Sequence, residues 1–185
     1  MLLHLALAVL VAAIFVFVAS SLIHMVFQWH QSDYGKLADE EAVRVAVRAS
    51  ASKPGQYMLP YCVGMKEMQS PEMQAKWKAG PVAFLHLRPN GMPNMGSTLG
   101  RWFLLNLLVA ALIAQLLHSS LGIGADGHRV FHQAALTTFL AYGVGSLSAG
   151  IWKGQTWKSV AKDLLDALIY GIVSGLAFGW LWPTS

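Results

Sequence analysis

The sequence predicts an all-α polytopic membrane protein, with four transmembrane helices and a small α/β extramembrane loop domain between helices 1 and 2. Its composition is the first reason, because 55% of the 185 residues are hydrophobic and only 12% are charged. That balance is too apolar for a domain surrounded by water. The second reason is the distribution of charge, because four segments contain no Lys, Arg, Asp or Glu: residues 1–32, 102–125, 130–152 and 167–185.

Each of these segments is about as long as the roughly 20 residues that a helix needs to cross a bilayer. We therefore place transmembrane helices at residues 2–27, 99–119, 130–151 and 160–182, which predicts a four-helix bundle. The first is interpreted as a retained helix, because no Lys or Arg precedes it and its apolar part is longer than the core of a signal peptide. Tryptophans near the predicted ends are typical of the aromatic belts at membrane interfaces.

The basic residues predict the orientation. Nine of the 13 Lys and Arg lie between Lys36 and Arg101, three more lie between Lys153 and Lys162, and Arg129 is on the other side. Loops on the cytoplasmic side carry an excess of basic residues, so we expect both termini outside. This asymmetry also accounts for the net charge of +4, so no nucleic-acid partner is expected.

Residues 28–98 form the predicted loop domain, which holds six of the seven prolines. The stretch "LADEEAVRVAVRAS" predicts a helix capped by Asp39, and "SPEMQAKWKAG" predicts another that Ser70 caps and Gly80 ends. The runs "QYMLPYCV" and "PVAFLHLR" are extended and can pair as strands. A domain this small buries little surface, so we expect it to contact the membrane or a partner.

Small residues predict a close contact between the third and fourth helices. They recur every four residues, which places them on one stripe where a neighbouring backbone can approach. The alternative is that glycine is simply common in membrane helices. The residues are Gly171, Gly175 and Gly179 on the fourth helix, and Ala141, Gly145 and Ala149 on the third.

Two carboxylates lie at the start of the fourth helix, and the deeper one, Asp166, is expected about one turn inside the membrane. An ionised carboxylate costs on the order of 2.5–3.5 kcal/mol at the bilayer centre, so it should find a partner. Arg101 is the preferred partner and Lys162 the local one, which predicts a structural ion pair, with an ion or proton site as the alternative. Because consecutive helices alternate direction, one membrane face collects these residues: His24, His30, Arg101, Lys162, Asp163 and Asp166.

The opposite face collects four of the seven histidines: His4, His118, His128 and His132. Because His128 and His132 are four residues apart, their rings should point the same way from one helix. Imidazole binds both haem iron and transition metals, so a haem or metal site is one reading. The other is that histidine often sits at membrane interfaces.

A third group contains soft ligands of the kind that Cu(I) selects. Methionine is also a flexible gap filler, and the single cysteine has only His86 as a distant candidate base, which favours an inert thiol. No residue pattern predicts a catalytic site, and no cofactor is expected beyond the haem and copper alternatives. The group comprises Cys62, Met65, Met68, Met73, Met92 and Met95.

Several stretches together resemble an uncharacterised family of small bacterial inner-membrane proteins. They are "HMVFQWHQSDYGKLADEEAV", "PGQYMLPYC", "SPEMQAKWKAGPVAFLHLRPNGMPNMG", "IWKGQTW" and "DLLDALIYGIVSGLAFGWLWP". The resemblance implies a bacterial cytoplasmic membrane and one architectural unit, and it brings no activity, cofactor or site residue with it.

Together these features lead us to expect a non-enzymatic accessory or scaffold subunit whose loop domain meets a protein partner or a second copy of the chain. A second hypothesis is a small-molecule or ion carrier with Asp166, Arg101 and Tyr170 along its path. The third is a haem or metal protein that uses the four-histidine face.

Overall fold

A computed structural model describes residues 2–50 and 53–184. The chain divides into two compact units, a helical unit (Met1–Gly35 with Pro93–Ser185) and a loop unit (Lys36–Met92). In chain order the elements are α1 (Leu2–Ser21), which continues as a π-helix (Leu22–Phe27), a 3-10 helix (Trp29–Asp33), α2 (Glu40–Ser50), β1 (Gly55–Leu59), α3 (Met65–Met68), α4 (Pro71–Ala79), β2 (Ala83–Leu87), α5 (Met95–Leu121), α6 (Gly127–Phe139), a second π-helix (Leu140–Val144), α7 (Gly145–Lys153) and α8 (Trp157–Leu181).

Four helices are long and apolar enough to cross a membrane: Leu2–Phe27, Met95–Leu121, Gly127–Lys153 and Trp157–Leu181. The last three begin before the residues predicted from hydropathy, because each starts at a polar N-cap outside the apolar run. The side chains of Asn94, Asp126 and Thr156 accept hydrogen bonds from backbone N–H groups of the first turn. The caps thus add about one turn to each helix.

The glycine stripe of α8 packs directly against the backbone of α6. A Cβ atom added to Gly175 would lie 2.9 Å from the carbonyl oxygen of Phe131, and one added to Gly171 would lie 2.7 Å from that of Ala135. Gly179 is equally crowded. Because Gly171, Gly175 and Gly179 have no side chain, the backbones of α6 and α8 can approach closely.

The residues predicted on the third helix do not make this contact. A Cβ at Gly145 would meet open space, and Ala141 is exposed. The contacting face of α6 runs through Phe131 and Ala135, and Ala141 follows Ala135 by six residues, roughly 240° around a helix. Ala141, Gly145 and Ala149 thus repeat with the right spacing on the wrong face.

The core of the helical unit is built largely from alanine, which allows close packing of the remaining helices. Phe178 of α8 and Leu117 of α5 are the largest fully buried apolar side chains in it. Around them lie small residues of α1, α5, α6 and α8: Ala8, Ala12, Ala13, Ala110, Ala114, Ala134 and Ala177.

The loop unit contains the two predicted strands, paired antiparallel from Gly55 opposite Leu87 to Leu59 opposite Ala83. Its helices also begin as predicted, since Asp39 accepts a hydrogen bond from the N–H of Ala42 and Ser70 caps α4. Within the described part of this unit, Met73 is the one buried residue. The unit is therefore folded around very little core.

Candidate functional site at the start of helix α8

A polar cluster forms where the chain turns after α1. The π-helix ends at Gln28, which has a left-handed backbone conformation (φ 53°). The N–H of Gln28 donates a hydrogen bond to the carbonyl oxygen of Ile23. The 3-10 helix that follows lies beside the start of α8. We call the side chains that meet there the Asp166 cluster, which comprises His24, Trp29, His30, Asp33, Lys162 and Asp166.

Asp166 is the buried centre of this cluster, with 5% of its surface exposed. Its Oδ1 accepts a hydrogen bond from Nε1 of Trp29 (3.1 Å), and its Oδ2 lies 2.8 Å from Nε2 of His30. Nε2 of His24 lies 3.7 Å from the same Oδ2. The π-helix at the end of α1 and the 3-10 helix after it thus supply these three neighbours of the buried carboxylate.

His30 bridges two carboxylates, because its Nδ1 lies 2.8 Å from Oδ2 of Asp33 while its Nε2 faces Asp166. Burial lowers the pKa of His30, but hydrogen bonds to Asp166 and Asp33 together with their charges outweigh it, so the pKa is raised above its ordinary value. The bridging geometry therefore favours the imidazolium form.

Lys162 completes the charge balance. Its Nζ forms an ion pair with Asp33 and donates hydrogen bonds to the carbonyl oxygen of Trp29 (2.6 Å) and to Oγ of Ser32 (2.8 Å). The hydrogen bond from Lys162 lowers the pKa of Asp33 by more than burial raises it. With His30 protonated, the two carboxylates of the cluster face two cations.

The prediction that Arg101 forms an ion pair with Asp166 was wrong. Arg101 is exposed on α5 and forms no ion pair with any described residue. The turn after α1 folds over the start of α8 and brings His30 to Asp166 instead. Lys162 pairs with Asp33 and not with Asp166, and Asp163 lies apart, where it accepts a hydrogen bond from Gln155 (2.7 Å).

The four-histidine face is not assembled into one site. Nε2 of His128 lies 3.0 Å from Nε2 of His132, and both side chains are exposed. His4 and His118 are exposed as well, and neither joins a group of three potential metal ligands within residues 2–50 and 53–184. In that range, the one such group consists of His24, His30 and Asp166.

Cys62 of the loop unit has the features of an unreactive thiol. Burial, together with the charge of Glu67, raises the pKa of Cys62 above its ordinary value, which disfavours the thiolate. Its Sγ lies 3.6 Å from the carbonyl oxygen of Gly64. Of the methionines considered as soft ligands, Met73 is buried and the others are exposed.

Beyond Asp166, further buried polar side chains follow along α8. Tyr170 and Ser174 follow at intervals of four residues on α8, and all three are buried. Ser174 accepts a hydrogen bond from Thr138 (3.0 Å), and Tyr142 packs edge-on against Tyr170 with ring centroids 5.5 Å apart. These side chains form a polar column between α8 and the third long helix.

The column reaches α5 at Asn106. The hydroxyl of Tyr142 donates a hydrogen bond to Oδ1 of Asn106 (2.8 Å), whereas the buried Nδ2 of Asn106 has no partner among the described residues. Buried polar groups without a partner are costly, so such an atom marks a place where a ligand or water would be favourable.

The alternating direction of the helices predicted that His24, His30, Lys162 and Asp166 share one end of the molecule, and in the structure these four lie in one cluster. The sequence analysis did not predict that Trp29 and Asp33 belong to it. One signal was present in the sequence, because Asp33 follows His30 by three residues, a spacing at which side chains of a helical turn meet.

Comparison of the chain with protein-family models, curated proteins and solved structures finds no match. The resemblance to a family of small bacterial inner-membrane proteins therefore stays a prediction.

Proposed function

We propose that this chain is a non-enzymatic accessory or scaffold subunit of the bacterial cytoplasmic membrane, which presents the loop unit to a protein partner. In this proposal the four long helices cross the membrane, both termini lie outside and residues 28–98 face the cytoplasm.

The observation that carries the proposal is the exposure of apolar side chains in the loop unit. Tyr61 is 71% exposed, Val63 65% and Met65 67%, and they lie close together in the sequence. Phe84 and Trp77 are also among the exposed large apolar residues. Exposed large apolar side chains so close together in sequence support an interaction surface around residues 61–65.

The Asp166 cluster supports the same proposal from the membrane side. It fixes the turn at Trp29–Asp33 against α8, and the loop unit begins three residues after Asp33 in sequence. Within the helical unit, the hydrogen bonds, the ion pair and the packing of Trp29 thus fix the end of the segment that leads into the loop unit in sequence.

The charge of the loop unit indicates the chemistry of the partner. It contains eight Lys and Arg against five Asp and Glu, a formal balance of 8 − 5 = +3. Internal ion pairs use three of the bases and two of the acids, since Glu41 pairs with Arg44 and Arg48 and Glu72 pairs with Lys76, so 8 − 3 = 5 bases and 5 − 2 = 3 acids of the unit remain. A partner with an apolar patch rimmed by acidic residues would complement this surface.

Site-specific photo-crosslinking in intact cells tests the proposal. A photo-reactive phenylalanine analogue replaces Tyr61, and the matched control carries it at Glu40, an exposed polar position of the same unit. We expect a discrete adduct with one other protein at position 61 and not at position 40. Adducts with lipid alone, no adduct, or an adduct of twice the chain mass would contradict a heterologous partner.

A second candidate, an ion or proton carrier, is supported by the polar column from Asp166 through Tyr170 to Asn106. Arg101 is not part of this carrier hypothesis, because it is exposed and forms no ion pair with Asp166. Ion or proton flux into liposomes that contain the purified protein, abolished by Asp166→Asn and unaffected by Arg101→Gln, is the outcome that this alternative predicts. Flux equal to that of empty liposomes would exclude it.

A further inference from the structure

We propose that His24, His30 and Asp166 form a binding site for a divalent transition-metal ion such as Zn²⁺. One ligand atom from each residue lies within 4.8 Å of the other two, and the proposal goes beyond the scaffold role. Asp166 Oδ2 is 2.8 Å from His30 Nε2 and 3.7 Å from His24 Nε2.

These distances suit a small metal ion. Zn²⁺ binds imidazole nitrogen and carboxylate oxygen at about 2.0–2.2 Å, so neighbouring ligands of a tetrahedral site lie roughly 3.3 Å apart. The separations of Oδ2 of Asp166 from the two histidines lie on either side of that value, and the ligand nitrogens of the two histidines lie within 4.8 Å of each other. Because a ligating imidazole is neutral, Zn²⁺ would bind His30 in place of the proton on Nε2, which is released to solvent.

His24 is the residue that a purely structural explanation of the cluster does not need. Asp166 already accepts hydrogen bonds from Trp29 and His30. His24 is too far from Asp166 for a hydrogen bond, yet its ring lies 4.9 Å from that of His30 and its Nε2 faces the same carboxylate oxygen. An ion between the three ligand atoms would give His24 a bonding role that it lacks in the hydrogen-bond network.

The groups behind these ligands are arranged as in metal sites. A ligating histidine normally donates its other ring N–H to a carboxylate, and Nδ1 of His30 contacts Asp33, which Lys162 holds in place. Nε1 of Trp29 donates to Oδ1 of Asp166, so Oδ2 is the atom left to face the histidines. The outer contacts thus orient two of the three ligands.

Exposure decides how an ion would reach the site. The side chain of Asp166 is 7% exposed, whereas that of His24 is 50% exposed. His24 also lines a surface cavity, together with Ser20, Thr98 and Trp102. The site is therefore closed on the α8 side and open at His24, where a fourth ligand can bind.

The donor set decides the class of ion. Two imidazoles and one carboxylate suit Zn²⁺ and its first-row neighbours, whereas Ca²⁺ and Mg²⁺ prefer oxygen ligands and Cu(I) prefers sulfur. The histidines predicted to bind metal at the opposite end, His128 and His132, provide an internal comparison of a paired-histidine surface without a carboxylate partner.

Metal titration of the untagged full-length protein in detergent, after chelator treatment, tests this site. Calorimetry with Zn²⁺ and the visible absorption of bound Co²⁺ are the two readouts. We expect one ion per chain in the wild type and at least about tenfold weaker binding in His24→Gln. Because His24 is half exposed and outside the hydrogen-bond network, this variant should stay folded, whereas Asp166→Asn risks unfolding.

His128→Gln is the matched control, since it removes an exposed histidine from the other end of the chain. It should bind Zn²⁺ as the wild type does, and Zn²⁺ should raise the melting temperature of both proteins but not that of His24→Gln. Unchanged binding in His24→Gln, loss of binding in His128→Gln, or no stoichiometric binding to the wild type would overturn the proposal. None of these outcomes bears on the photo-crosslinking test of the scaffold role.

Discussion

Nε2 of His30 lies 2.8 Å from Oδ2 of Asp166, although 136 residues separate the two in sequence. This contact joins the turn that follows α1 to the first part of α8, and Nδ1 of the same ring reaches Asp33. The loop unit begins soon afterwards in the chain. Both proposals depend on this contact. The scaffold role needs a fixed turn before the loop unit, and the metal site needs ligands that converge on one point.

Replacement of Lys162 by methionine should lower thermal stability in detergent. Lys162→Met keeps the length of the side chain but removes the ion pair with Asp33 and two further hydrogen bonds, which leaves a mostly buried carboxylate without its cation. Thermal unfolding followed by tryptophan fluorescence measures the loss. Lys158→Met, at an exposed position on the same helix, is the control and should melt as the wild type does.

Substitution in the glycine stripe should weaken the contact between α6 and α8. In Gly175→Ala the new methyl group would lie 2.9 Å from the Phe131 carbonyl oxygen, so the helices must separate, at a cost of roughly 1–3 kcal/mol. Unfolding in mixed detergent measures this free energy. Gly145→Ala, where a Cβ meets open space, should leave stability unchanged or slightly higher, and equal losses in both variants would contradict the assignment.

The pH dependence of stability should report the two shifted pKa values of the cluster. The folded-state pKa of His30 is raised, so its contribution is fully present below 6.5 and is lost as pH rises through the folded value. The folded-state pKa of Asp33 is lowered, so its contribution is present above 3.8 and is lost as pH falls further.

Melting temperatures of the chelator-treated wild type and of His30→Gln should therefore differ most between these two pH values. The difference should shrink toward alkaline pH. His24, Lys162 and Asp166 also face His30, and they are present in both proteins. A difference that grows as pH rises would contradict the assigned direction for His30.

The orientation can be tested with introduced cysteines, because Cys62 is the only cysteine in the chain and can be replaced by serine. In the Cys62→Ser background, a membrane-impermeant maleimide should label Lys66→Cys, at an exposed position of the loop unit, in permeabilised bacterial cells and not in intact ones. Thr184→Cys in the same background should be labelled in intact cells, since both termini are expected outside. Labelling of both positions from the same side would contradict the three crossings proposed between them, because an odd number of crossings places them on opposite sides.

The sequence predicted the elements better than their contacts. Charge-free runs, N-caps and extended stretches located the four long helices, α2, α4 and the two strands, because these signals are local. The partner of Asp166 was missed because it depends on the π-helix and on the left-handed Gln28, which no residue pattern marks. The partners of Gly171 and Gly175 were missed because the contacting face depends on how the third helix is rotated.

A double-mutant cycle between His30 and Asp166 tests the central contact most directly. His30→Gln and Asp166→Asn are each expected to lower the melting temperature in detergent. The double variant should melt no lower than the less stable of the two single variants, because each substitution removes the same interaction. Arg101→Gln combined with Asp166→Asn serves as the control pair and should show independent effects. Additive losses for His30 and Asp166, or coupling between Arg101 and Asp166, would contradict this account.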